Sequence, residues 1–362
     1  MVEDSGPVTG GPPSPEEFAK STELVPQDID QDALRRRLRR RSMTIDEVAA
    51  WAKSNAQKAE AALEDLRADG FLLQQFGDRY SVEKTPGPNI YDDRHRVSSD
   101  HIGEYRFGLI ADNHYGSKYC REDVNEELYD WFAEEGVTRV YNCGNWIDGE
   151  ARFNKHDLIP EAHGMQAQLD YFVERYPQRP GITTYYVAGD DHEGWYSQRE
   201  GVDIGRMLSD TAGHAGRKDL VYLGYKEAFI RLEHAETGKH ARMLVDHPGG
   251  GSAYALSYAA QKRVEAAQPG EKPAIWLFGH WHKHGYFVIR GVHVVLVPCT
   301  KDLDPFGRKK GLTYTIGGAI LDIRQHPGGV IEECTPRFKL YHDRGYYNQQ
   351  YSMSGRVEKE MA

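Results

Sequence analysis

The sequence predicts an α/β fold preceded by a small helical unit. Two observations carry that expectation. From about residue 105 onward, apolar runs of strand length alternate with segments of helical period. Five of those runs are followed, at once or after a single glycine, by Asp, Asn or His, the residue types that bind metals. Open α/β folds build their sites at carboxyl ends of strands, so the second observation supports the first.

Bulk properties narrow the classes. The 362 residues carry 45 Lys+Arg against 55 Asp+Glu, a net charge of −10, which argues against a nucleic-acid-coating protein but leaves room for a local basic patch. An apolar content of 39% can build a sizeable core. No run approaches the length of a membrane span, and the N-terminus lacks a signal-peptide profile. Cys120, Cys143, Cys299 and Cys334 have no paired spacing, so ordinary thiols in a reducing cytoplasm are expected and cysteine ligation is not.

Residues 1–30 are rich in Pro, Gly and acidic side chains and read as a disordered arm. Residues 31–84 read as an independent unit. A first helix, Asp32 to Arg41, sets Leu34 and Leu38 on one face among six arginines. Thr44 and Glu47 form a capping box that opens a second helix through Val48 and Trp51. Ser54 and Gln57 give a second capping signal for a helix bearing Ala59, Ala62, Leu63 and Leu66, stopped by Gly70. The stretch from Phe71 to Val82, turning at Gly77-Asp78, reads as a hairpin. This order resembles a winged helix. Its third helix carries Glu60, Glu64 and Asp65 beside Lys58 and Arg67, so nucleic-acid binding and protein docking or oligomerisation both stand as its role.

Residues 85–104, opening on Thr85-Pro86-Gly87-Pro88, read as a linker. Strands are expected over 105–111, 138–143, 183–188, 241–245, 274–278, 292–297 and 317–323, and helices over 123–135, 202–212 and 252–267. The domain is drawn over 105–335, with a polar, tyrosine-rich tail over 336–362.

The strand ends deliver Asp112-Asn113-His114, then Gly144-Asn145-Trp146-Ile147-Asp148, then Gly189-Asp190-Asp191-His192-Glu193. They continue with Asp246-His247 and a triple glycine, and finish with Gly279-His280-Trp281-His282. Alternation in an extended segment would send His280 and His282 to one side and Trp281 to the other.

These five ordered motifs resemble the calcineurin-like metallophosphoesterase superfamily over about residues 105–300. The resemblance implies a two-layer sheet sandwich flanked by helices around two divalent transition-metal ions, Mn²⁺ foremost, with Fe, Zn or Ni as alternatives. Carried over position by position, Asp112, His114 and His282 would hold one metal and Asp191, His247 and His280 the other, with Asn145 between. His192 would be the catalytic imidazole and Asp148 its orienting partner. Two positions depart from the pattern: Asn145 stands where the family has a bridging aspartate, and Asp191 where it has an asparagine. A neutral amide oxygen bridges two cations less well than a carboxylate, so a weaker or unequal pair of metals is expected, with a mononuclear centre as the alternative.

The chemistry stands without the family name. Two hard cations neutralise phosphate oxygens and acidify a water, and a histidine titrating near neutrality can protonate the leaving alkoxide. Arg152, Lys155 and His156 follow the second motif as candidate substrate-binding residues on the cleft rim. The triple glycine precedes a helix expected to open at Ser252, where backbone amides could face a phosphate oxygen. The expectation is a cytoplasmic phosphodiesterase or nuclease whose winged helix helps recruit nucleic acid. The alternatives are a phosphomonoesterase or cyclic-nucleotide phosphodiesterase with a docking module, and a DNA-binding or scaffolding protein that no longer turns over.

Overall fold

The computed structural model describes residues 28–38, 40–68, 73–82, 95–151, 154–251, 255–268 and 270–345. They fall into two compact units, 1–89 and 90–362. The arm expected over 1–30 lies outside the described residues except for 28–30. Among the described residues no helix is long and apolar enough to cross a membrane.

The first unit runs α1 (Gln31–Leu38), β1 (Met43–Thr44), α2 (Ile45–Ala52), α3 (Ala56–Ala68), β2 (Leu73–Phe76) and β3 (Arg79–Val82). Its strands pair antiparallel in the order β1-β3-β2. Leu34, Leu38, Val48, Leu63 and Leu66 are buried together. The capping box forms: Thr44 Oγ1 accepts from the Glu47 amide at 3.1 Å, and Glu47 Oε2 accepts from the Thr44 amide at 3.1 Å. The next cap falls on Asn55 and not Ser54, because the Ser54 amide donates to Ala49 O in the turn that ends α2. Asn55 Oδ1 accepts from the Lys58 amide at 2.9 Å instead.

The second unit contains two six-stranded sheets. One has the order β15 (Ile331–Tyr341), β14 (Ile316–Gln325), β5 (Glu104–Ile110), β6 (Arg139–Asn142), β7 (Thr183–Ala188), β8 (Leu220–Tyr225). The other has the order β12 (Gly285–Ile289), β13 (Val292–Leu296), β11 (Ile275–Phe278), β10 (His240–Asp246), β9 (Glu227–Glu233), β4 (His95–Ser98). Strands β5 to β8 run parallel, as do β10, β11 and β13.

Alternation sorts the side chains into layers. Phe107 and Leu109 of β5, Met243 and Val245 of β10, and Ile275 and Leu277 of β11 share one apolar cluster drawn from both sheets. The intervening Leu244, Trp276 and Phe278 turn the other way, onto α8 (Tyr258–Ala266). On the first sheet, Ile110 and Val140 pack with Leu128 and Phe132 of α4 (Glu122–Glu134) and Leu169 and Phe172 of α5 (Met165–Arg175). Tyr196 of α6 (Gly194–Glu200) and Leu208 of α7 (Ile204–His214) join the same cluster. Truncating a buried leucine such as Leu277 to alanine should cost about 2–5 kcal/mol.

Two boundaries move. The linker expected over 85–104 contains β4, paired parallel with β9, and its Val97 is buried. Four residues with one buried side chain leave no readable period. The tail expected from 336 begins inside β15, whose pairing with β14 extends to Tyr341. Edge strands tolerate charge on their solvent face, which hides them from an apolar pattern. The helix expected to open at Ser252 opens at Tyr258, and 252–254 lie outside the described residues.

Candidate metal centre

Parallel strands of both sheets end at one edge, and the five motifs occupy the loops that leave it. The Asp112, His114 and Tyr115 amides donate to the carbonyls of Gly144, Asn145 and Trp146 at 2.9, 2.9 and 3.0 Å, continuing the β5–β6 pairing into the loops. The Gly279 amide donates to Asp246 O at 3.1 Å and ties the β10 and β11 loops likewise.

Two triads result. Ligand-type atoms of Asp112, His114 and His282 lie within 4.8 Å of one another, and so do those of Asp191, His247 and His280. A third grouping, His114, Asp148 and His192, adjoins the first. His280 and His282 therefore separate into different triads. Their φ angles of +73° and +53° show why: the segment is not extended. Six of the nine non-glycine residues with positive φ among those described are Asp112, His114, Asn145, His192, His280 and His282. Such conformations cost about 1–3 kcal/mol each and persist where the surroundings over-determine them.

The hydrogen bonds aim the ring nitrogens. His247 Nδ1 donates to Cys143 O at 2.6 Å, and His280 Nε2 donates to Gly250 O at 2.7 Å. A carbonyl only accepts, so in the neutral ring the other nitrogen presents a lone pair. Those atoms, His247 Nε2 and His280 Nδ1, are buried without a hydrogen-bond partner and lie 3.3 and 3.2 Å from the Asp191 carboxylate. His114 Nδ1 bonds Asp148 Oδ1 at 2.9 Å, which turns His114 Nε2 toward His282 Nε2 at 3.3 Å. Asp112 Oδ1 and Asn145 Oδ1 are also buried and unpartnered, and His282 Nε2 lies 3.5 Å from Asp112 Oδ1. Lone pairs converging without a donor between them fit divalent cations.

Glycines make the approach feasible. A Cβ on Gly189 would meet Asn145 Oδ1 at 2.5 Å and His247 Cδ2 at 2.8 Å. One on Gly144, where φ is +90°, would meet His247 Nδ1 at 2.5 Å. Within the triple glycine, Gly250 supplies the carbonyl that orients His280.

Electrostatics follow burial and pairing. Burial disfavours charge on Asp112, but His282, His247 and His114 hold its carboxyl down at about 2. Burial likewise opposes charge on Asp148, yet Lys301 and His114 keep it well below the usual carboxylate range. Against burial, Asp191 and Asp112 push His247 up to about 10. Burial pushes Glu193 up to about 8, and its Oε1 accepts from the Asn145 and Gly189 amides at 2.8 and 2.7 Å, stitching the second and third loops. Asp190 faces away and pairs with Lys226.

Several expected parts are arranged differently. The Asp148 carboxylate serves His114, and His192 Nδ1 donates to the Asp148 main-chain carbonyl at 2.8 Å, with the carboxylate 3.6 Å off. Lys155 and His156 are exposed and do not line the cleft; His156 leans on Asp157 at 3.4 Å. The 3-10 turn Lys155–Asp157 directs Asp157 inward and its neighbours out. Arg152 lies outside the described residues. Asn154 and Asp157 line the cleft instead.

The residue the motifs missed is Lys301. It is 2% exposed, lines the cleft, and contacts Asp148 Oδ1 at 3.0 Å and Asp304 Oδ2 at 2.8 Å. Its signal was present: Thr300-Lys301-Asp302 leaves a sixth apolar run, at the end of β13.

No family model and no curated protein matches the sequence. Among solved structures the chain is similar to a novel archaeal phosphodiesterase, at 12% identity and TM-score 0.36, over 66% of this chain and 100% of that one. It is similar to a dimetal phosphatase from Danio rerio at 11% identity and TM-score 0.36, over 67% and 98%. It is also similar to Vps29 of Entamoeba histolytica complexed with zinc, at 9% identity and TM-score 0.30, over 65% and 99%. At these scores none of the three bears on what the chain does.

Proposed function

We propose that the chain is a metal-dependent phosphoesterase, acting as a phosphodiesterase or nuclease on nucleic acid or nucleotides. The observation that carries this is the pair of Asp/His triads, each with buried, unpartnered donor atoms, opening on one cleft beside His192. When bound, two divalent cations would screen phosphate oxygens and acidify a water for in-line attack. Asp112, His114 and His282 would hold one and Asp191, His247 and His280 the other, with Asn145 between. Mn²⁺ is the first choice for so many O and N donors, and Fe, Zn or Ni suit the imidazoles.

The chain's own part is to orient and to move a proton. Because the Asp148 carbonyl holds the Nδ1 proton of His192, Nε2 is the atom that would deliver a proton to the leaving alkoxide. Asp148 keeps the His114 lone pair facing inward. The first unit, with the helix and strand order of a winged helix, would recruit nucleic acid through exposed Arg36 and Arg40.

One observation favours a second reading. Asn145 offers an amide where a carboxylate would bridge cations better, which suits a scaffold whose site turns over slowly. Elemental analysis of the protein, with hydrolysis of bis(p-nitrophenyl) phosphate and p-nitrophenyl phosphate in Mn²⁺, separates these. Bound metal with faster diester turnover supports the proposal, and Asn145→Asp should raise both metal content and rate. Faster monoester turnover would make it a phosphomonoesterase. Absence of metal from both forms would remove the enzyme reading.

A further inference from the structure

We propose that one wall of the cleft is a nucleobase shelf, so that the ester it takes is a nucleoside phosphate. This rests on the phosphoesterase reading above. The cleft of about 580 Å³ is large enough for a mononucleotide. Beside the two triads it is lined by Trp281, Phe306, Lys310, Leu312 and Tyr314.

Phe306 and Lys310 lie four residues apart on α9 (Pro305–Lys310), which puts them on one face. Phe306 is 43% exposed, and Lys310 Nζ stands 5.9 Å from its ring centroid. The Tyr314 ring packs on His282 with centroids 4.2 Å apart, so the aromatic surface reaches the first triad. The wall is held firmly. Asp304 caps α9 through the Gly307 amide at 2.7 Å and pairs with buried Lys301, which contacts Asp148.

An exposed ring with an ammonium beside it, next to groups that hold phosphate-binding cations, matches a ligand with both a planar π face and an anion. A sugar phosphate has no such face. An acyl-chain phosphate has the anion but no planar face to lay on the Phe306 ring.

The test is calorimetry on the full chain, with Mn²⁺ and again in chelator, comparing adenosine 5′-monophosphate with ribose 5-phosphate. The nucleotide should bind about tenfold more tightly. Phe306→Ala should remove that difference and leave the ribose phosphate unchanged, while Phe306→Trp should keep it. Equal affinities, or a difference that survives Phe306→Ala, would overturn the shelf. Parallel hydrolysis of thymidine p-nitrophenyl phosphate and ethyl p-nitrophenyl phosphate keeps the two readings apart. Equal kcat/KM on both esters defeats the shelf alone. No turnover of either, with the binding difference intact, defeats the enzyme reading and retains the shelf.

Discussion

The two triads use the same residue types, one carboxylate and two imidazoles, yet are braced in opposite ways. In the first, Asp112 and His114 are fully buried and His282 is 7% exposed. His114 is backed by the Asp148 carboxylate, itself held by Lys301 and Asn154. In the second, His247 and His280 are backed by main-chain carbonyls of Cys143 and Gly250, and Asp191 is half-buried. A charged brace locks its ring more firmly than a carbonyl does. Burial with Lys301 keeps His114 well below the usual imidazole range, so it offers its lone pair, whereas His247 must first shed a proton. The first triad should therefore bind its cation more tightly.

The largest expected effect breaks the comparison outright if it fails. His114→Ala should weaken Mn²⁺ binding by more than about a hundredfold, beyond the ten- to hundredfold loss from an outer partner. Asp191→Ala should remove only the weaker equivalent. Titration of Mn²⁺ into chelator-stripped protein should show two steps, with the tighter one lost in the first variant and kept in the second. Equal losses in both would show that the braces do not matter.

Next comes Lys301→Met. It leaves Asp148 and Asp304 buried without their cation, at a cost of about 3–5 kcal/mol in denaturant unfolding. The second triad has no counterpart to this variant, because its braces are backbone. Its weak point is steric. Gly189→Ala should displace Asn145 and His247, costing about 1–3 kcal/mol, as overpacking does. It should lower the second metal equivalent and spare the first.

The smallest effect is on pH. Burial would raise the Asp304 carboxyl, but Lys301 holds it below its ordinary value. Its folded pKa thus lies under the unfolded one of about 3.9. The stability it contributes is present above that value and lost as pH falls through the folded pKa. Thermal unfolding in chelator from pH 6 to 3 should show this loss, and Asp304→Asn should flatten it. An unchanged acid limb would mean that the Lys301 pair carries no linkage.

Much of the site was legible because a metal centre needs particular residue types, and strand ends are visible as the close of apolar runs. Asp112, His114, Asp191, His247, His280 and His282 could be picked out that way. What the pattern mis-assigned were partnerships. Asp148 lies between His114 and His192, and only the tertiary structure sets its carboxylate on one ring and its carbonyl on the other. Lys155 and His156 looked like a basic rim until the 3-10 turn faced them outward. Strands β4 and β15 escaped because edge strands bury little and carry charge.

By itself the sequence determined the alternation of strands and helices, the metal-type residues at strand ends and the capping box at Thr44, since each is a local pattern of residue type and spacing. The tertiary structure decided which atoms meet: the division of His280 and His282 between triads, the burial of Lys301 and the backing of each imidazole. Those depend on φ angles and on loops brought together by strand pairing across 150 residues or more of chain. No local pattern encodes a distance of that kind.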